Sequence, residues 1–201
     1  MIYRSSNDNR MYLANKNYLG AINDRRPKAD LLIVDLMHQE EVDFITLIRT
    51  LSAKLDTRGS ALIFSTLPNI ATLSEQAEHY NYYVHGVMTW KWSNVSIMNG
   101  KDRQYILWIS KSTMPYCNLM PNEYLSPTML QYAPLPSVDE SCLSRKPALL
   151  MEELIDRYSK PQAIVRDLFA DYSVFEVCRK LDRSYHGFTK DVQVFKTFEL
   201  Y

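Results

Sequence analysis

Lys146-Pro147-Ala148-Leu149-Leu150, Val165-Arg166-Asp167-Leu168-Phe169-Ala170-Asp171-Tyr172-Ser173 and Arg183-Ser184-Tyr185-His186-Gly187 are three pieces of one stretch whose reading decides the fold. Leu149, Leu150, Leu154 and Ile155 make one face of a helix opening after Pro147, and Ala163-Ile164-Val165 is a short strand. Asp171, followed by helix-forming residues, reads as an N-cap for a helix over Phe175 to Leu181, and Tyr185 to Phe188 is a further strand. The turn between strand and helix, 167–173, is where a ligand of such a unit would sit.

Upstream, Ala29-Asp30-Leu31-Leu32-Ile33-Val34-Asp35 is the continuous apolar run of a strand buried on both faces. Val42, Phe44, Ile45, Ile48, Leu51 and Leu55 recur at helical spacing, Gly59 is expected to stop that helix, and Ala61-Leu62-Ile63-Phe64-Ser65 is the next strand. A helix over Ile70 to Tyr80 leads to strands at Tyr83 to Trp92 and Gln104 to Ile109, an expected antiparallel pair joined through Asn99-Gly100. Met11-Tyr12-Leu13-Ala14 predicts a short strand in the polar N-terminal segment. Strands alternating with helices predict an α/β fold with a mostly parallel, doubly wound sheet and an antiparallel edge pair. Residues 113–145, rich in proline and without period, predict an irregular loop, between halves at 10–112 and 146–201 of one domain.

Composition narrows the function classes. With 201 residues, 46% hydrophobic and 23 basic against 23 acidic side chains, the chain suits one domain with a single large core and no bulk nucleic-acid footprint. No signal peptide or membrane span is legible, which leads us to expect a cytoplasmic protein. Cys117, Cys142 and Cys178 lack CxxC spacing and read as reduced thiols, with no metal expected.

The ordered elements resemble the amino-group DNA methyltransferases of the permuted (beta) class, which modify adenine N6 or cytosine N4 with S-adenosylmethionine. That family's pattern runs from a strand ending in DPPY, through "W-K" and "EYIL..K" strands, to "KPxxLxxxLIxxxSxPG", "VLDPFxGSGTT" and "R.YIGxE". Here Ile33-Val34-Asp35-Leu36-Met37-His38, Trp90-Lys91, Gln104-Tyr105-Ile106-Leu107 with Lys111, and Lys146-Pro147 with Ser159-Lys160-Pro161 follow in the same order. Val165 to Ala170 and Arg183 to Gly187 complete the match. The resemblance therefore implies a Rossmann-like methyltransferase fold, with residues 10–112 as the target-base half and 146–201 as the cofactor half.

At the chemical positions the likeness breaks. Asp171 and Ser173 stand at the two turn glycines, and Tyr172 at the small serine between them. If those positions kept a left-handed backbone, each would cost about 1–2 kcal/mol. Thr189 stands where the family places the acid that holds the ribose, a loss of about 1.5–3 kcal/mol of binding. At the base loop Asp35 keeps the carboxylate and His38 an aromatic ring, but both prolines are gone, and Asn15 stands where an acid often borders the adenine. The resemblance thus implies a degenerate member, with Asp35 and His38 as remnant catalytic positions, Lys146, Pro147, Asp167 and Phe169 as remnant cofactor positions, and no cofactor held.

Simpler readings stand beside these. Asp35 also reads as the cap of its strand-to-loop turn, His38 as a surface residue, Trp90, Trp92 and Trp108 as core aromatics, and Arg25, Arg26 and Lys28 as a solvated cluster rather than a phosphate contact. A degenerate chain would act by binding: an active methyltransferase subunit as homo- or heterodimer, a nucleic acid, or a host or phage protein. Tyr116, Tyr124 and Tyr132 with Met114, Met120 and Met129 suit a protein interface. The alternative is a divergent but working DNA or RNA amino-methyltransferase, in which Asp35 holds the amine, His38 stacks on the base, and Asp167 and Phe169 frame S-adenosylmethionine.

Overall fold

Leu31 and Ile33 turn to one side of their strand and Leu32 and Val34 to the other, all at most 2% exposed, so this segment can only lie inside a sheet covered on both faces. The computed structural model describes residues 3–5, 10–37, 39, 42–92, 102–118, 129–133 and 146–198. In chain order the first half holds β1 (Tyr3–Ser5), β2 (Met11–Asn15), a 3-10 turn (Tyr18–Ala21), β3 (Ala29–Asp35), α1 (Phe44–Lys54), β4 (Leu55–Ser65) and α2 (Leu67–His79). Then come β5 (Tyr83–Trp92), β6 (Arg103–Ser110), β7 (Met129–Tyr132), α3 (Ala148–Tyr158), β8 (Ile164–Asp167), α4 (Tyr172–Lys180), β9 (Ser184–Thr189) and α5 (Val192–Thr197).

Among the described residues the nine strands form one sheet in the order β1-β2-β9-β8-β3-β4-β6-β5-β7. All but β1 and β6 run the same way. One face packs on α3, α4 and α5 through Leu150, Leu154, Phe175 and Phe198, the other on α1, α2 and the 3-10 turn through Leu47, Leu51, Ile70 and Leu73. This is the doubly wound α/β arrangement expected. Its order changes direction between β3 and β8, and in open α/β sheets ligands bind at such a switch point beyond the carboxyl ends of the strands.

Four details differ from the sequence expectations. Gly59 does not stop α1. The helix ends because Leu55 turns extended (φ −85°, ψ 133°), while Lys111 donates to the exposed carbonyls of Ser52 and Leu55. Gly59 lies inside β4, beside the register shift against β3, where an added Cβ would sit 2.8 Å from the Asp30 carbonyl oxygen and 2.9 Å from that of Ala29. Gly59→Ala should therefore lower stability by about 1–3 kcal/mol, read as a lower urea midpoint at unchanged slope.

The stretch 113–145 also contains a strand: β7 pairs parallel with β5 over Thr89–Trp92, buries Leu130, and its Tyr132 carbonyl accepts from Trp90 Nε1 at 3.0 Å. Four residues with one buried side chain leave no period to read. The expected antiparallel pair is β5 with β6, with β7 added outside it; its Asn99-Gly100 connection lies outside the described residues. Finally, α4 starts at Tyr172 rather than Phe175 because Asp171 caps it, and α2 starts at Leu67 with Pro68 in its first turn.

Candidate functional site

Two neighbouring strands end in carboxylates at the switch point. Asp35 closes β3 and Asp167 closes β8, where Ile33 and Asp167 are partners across the ladder. Asp35 takes the amide of Met37 at 3.1 Å and the ammonium of Lys146, whose side chain is 1% exposed against 15% for the aspartate. Lys146 reaches this point from just before α3, passing the rings of Phe64 and Trp90 at 5.0 and 6.0 Å. Pro147 precedes α3, and its carbonyl accepts from Met151 at 3.1 Å, so it starts the helix.

Asp167 turns inward and shapes the following turn. Its two oxygens accept the amides of Phe169 at 3.2 Å and Asp171 at 2.8 Å, and the Tyr185 hydroxyl lies 3.4 Å away. Burial pushes its carboxyl up to about 7; the two amides pull it back only in part, and the charges of Asp171 and Asp35 push it further up.

Asp171 carries the consequence of the altered turn. Its backbone is extended (φ −111°, ψ 134°), and among the described residues the non-glycine positions with positive φ are Asn81, Gln162 and Asp182 alone. The left-handed strain expected at Asp171 and Ser173 is therefore absent: without glycines, the chain passes from strand to N-cap to helix. The Asp171 carboxylate accepts the amide and hydroxyl of Ser173, both at 2.8 Å, and the amide of Lys146 at 3.2 Å. The Ser173 amide, in the first turn of α4, is a donor of the kind that a helix N-terminus offers to a bound anion, and Asp171 occupies it.

Around this network aromatic rings close up. Phe169 lies under Tyr18 of the 3-10 turn, centroids 5.5 Å apart, a contact that sequence reading missed because Tyr18 follows β2 in an irregular stretch. Tyr172 packs on Phe175 at 5.7 Å and Phe198 at 5.5 Å. The amide of Asn15 donates to the Thr189 carbonyl at 3.1 Å, and the Thr189 hydroxyl accepts from Asp191 at 3.1 Å. Trp90 is fully buried, and Trp108 donates to Ser60 at 2.9 Å, so both act as core aromatics. His38 lies outside the described residues. Structure thus brings Asp35, Lys146, Asp167, Phe169 and Asp171 together at one end of the sheet. Among the described residues no His, Cys, Asp and Glu side chains are arranged to hold a metal, and Cys178 is a buried thiol.

A sequence profile described as DNA methylase, of the N6/N4 methyltransferases, matches residues 38–199. The chain belongs to this DNA methylase family. Known folds agree with that membership. A complex of M1.HpyAVI with S-adenosylmethionine superposes with a TM-score of 0.79 at 21% identity, over 93% of this chain and 96% of that one. The cytosine-N4-specific PvuII DNA methyltransferase gives 0.71 at 15% identity, over 90% and 82%. A putative DNA modification methylase of Thermus thermophilus, complexed with S-adenosylmethionine, gives 0.66 at 14% identity, over 92% and 89%. At these identities the likeness is one of fold. Comparison with curated protein sequences finds no match. Among the described residues of this DNA methylase relative, no helix is long and apolar enough to cross a membrane.

Proposed function

We propose that this chain is a degenerate DNA methylase that acts by binding rather than by methyl transfer. The observation that carries this is the Asp171 carboxylate, which takes up the amide and hydroxyl of Ser173 and the amide of Lys146. A ligand carboxylate arriving at this helix terminus meets an anion where it needs free donors. The Tyr172 ring and the tilted Tyr18–Phe169 pair lie at the same end of the sheet, and the Asp35 carboxylate is engaged by Lys146. These residues do not fit S-adenosylmethionine. His38, Lys146, Pro147 and Phe169 are then relics of sites, with Lys146 and Pro147 retained for the fold.

A protein partner, which a second methyltransferase subunit would suit, fits the exposed methionines at 76% for Met114 and 55% for Met129, next to the half-buried Tyr116 and Tyr132. Tyr124 and Met120 lie outside the described residues.

Millimolar S-adenosylmethionine or S-adenosylhomocysteine should leave the melting temperature unchanged, and DNA from cells expressing the chain alone should carry no added methyl groups. A ligand present at about a hundred times its Kd would raise stability by about 2.7 kcal/mol, so a clear rise in Tm would mark a working enzyme instead.

A further inference from the structure

Two positions that are apolar in the resembled pattern have turned polar here, and they are neighbours. Arg166 replaces the leucine of "VLDPF" and His186 the isoleucine of "YIG", and the two are partners across β8 and β9. Both point to the sheet face opposite Asp167, toward the 3-10 turn and α1. Arg166 has no exposed surface and His186 4%. Yet Arg166 uses only Nη2, which donates to the Pro27 carbonyl at 3.0 Å and lies 3.3 Å from the Asp24 carboxylate. Among the described residues its Nε and Nη1, and His186 Nδ1, have no hydrogen-bond partner.

Charge around them does not balance. Asp24 also pairs with Arg26 at 2.9 Å, and Arg26 lies 3.2 Å over the Tyr12 ring, itself edge-on to His186 at 6.1 Å. Buried Lys54 donates to the Asp24 backbone carbonyl. Among the described residues, two guanidinium groups and an ammonium thus face one carboxylate, whose Oδ2 lies near Arg166 Nη2 without a hydrogen bond. Arg26 is therefore not the solvated residue expected: its side chain is 33% exposed and forms the rim of the cluster. An enclosed guanidinium with unused donors is costly unless something supplies both acceptors and negative charge.

We propose that Arg166, His186 and Arg26 form an internal binding site for a small tetrahedral oxyanion of the phosphate or sulfate class. Water would satisfy the idle donors but not the excess charge. Because Arg166 is wholly enclosed and only Arg26 reaches solvent, the ligand is a free anion rather than a phosphate of a nucleic-acid backbone. This site lies across the sheet from the Asp35–Lys146 crevice and stands whether or not that crevice binds a cofactor.

The test titrates the full chain with inorganic phosphate against chloride of equal ionic strength, and soaks crystals with selenate. Phosphate should raise Tm by about 5 °C or more once it exceeds its Kd about a hundredfold, and anomalous density should appear beside Arg166 and His186. Arg26→Gln, a change at the rim, should weaken the phosphate effect about tenfold. The double change Arg166→Leu with His186→Ile restores an apolar pair and should make Tm indifferent to phosphate. If wild type and Arg26→Gln respond equally to phosphate and chloride, or ordered waters alone lie beside Arg166 and His186 in selenate-soaked crystals, the proposal is overturned, whether or not the double variant folds.

Discussion

Lys146→Ala is expected to lower the free energy of unfolding by about 3 kcal/mol, the largest loss for any single side chain at the switch point. Removing one partner of a buried ion pair typically costs about 3–5 kcal/mol because the other charge stays behind unpaired. Asp35 is 15% exposed and keeps the Met37 amide, which puts the cost at the low end of that range. Part of the loss is the aliphatic stem, which fills space between Phe64 and Trp90. Lys146→Met keeps most of that volume and isolates the charge. Combining it with Asp35→Asn should recover most of the loss, since an apolar or neutral replacement of both partners is often close to neutral. Urea unfolding of wild type, Lys146→Met, Asp35→Asn and the double variant gives the coupling energy directly. A double variant no more stable than Lys146→Met would mean that the pair is not what holds these residues. The same cycle bears on function: if Asp35 served substrate rather than Lys146, Lys146→Met would free the carboxylate at little cost in stability.

Much of this fold is legible in the sequence alone. The run Ala29–Asp35 could be placed at the centre of the sheet because burial on both faces writes itself as unbroken apolar sequence. Asp171 could be read as an N-cap because capping depends on one side chain and its local backbone. What resisted was whatever depends on a distant partner. Gly59 looks like a helix terminator, and only the approach of β3 shows why a side chain is excluded there. β7 exists because β5 and the Trp90 indole offer it a place, not because four residues prefer to be extended. At the candidate site the residues were nameable but their mutual satisfaction was not. The pairing of Asp35 with Lys146 spans 111 positions of sequence, and Tyr18 reaches Phe169 from an irregular turn. The altered turn also relaxed: strain expected from non-glycine residues vanished once the backbone gave up the left-handed shape.

Asp167→Asn should reshape the pH dependence of stability, with a swing of about 3–4 kcal/mol between pH 4 and pH 7. Burial lifts the Asp167 carboxyl from 3.8 to about 7, so between those values the folded chain holds a proton that the unfolded chain releases. Its stabilising contribution is fully present below pH 4 and disappears as pH rises through 7. His186 works in the opposite sense. Burial first, then the charges of Arg166 and Arg26, lower it from 6.5 to about 4, so the unfolded chain binds the proton that the folded chain refuses. Its contribution is present above pH 6.5 and is lost as pH falls through 4. Over pH 4 to 6.5 the two slopes nearly cancel, and the wild type should look flat. Asp167→Asn unmasks the histidine, and its stability should climb by about 3 kcal/mol from pH 4 to 6.5. His186→Gln unmasks the aspartate, and its stability should fall from pH 4 to 7. Urea unfolding at half-unit steps measures both, and subtracting each variant from wild type removes the titration of every other group. A difference that stays constant with pH for Asp167→Asn would mean that this carboxylate is ionised in the folded chain. Asp167 would then add its own negative charge at the switch point, and a cationic ligand such as a sulfonium would find the crevice more favourable than the Asp171 cap alone suggests.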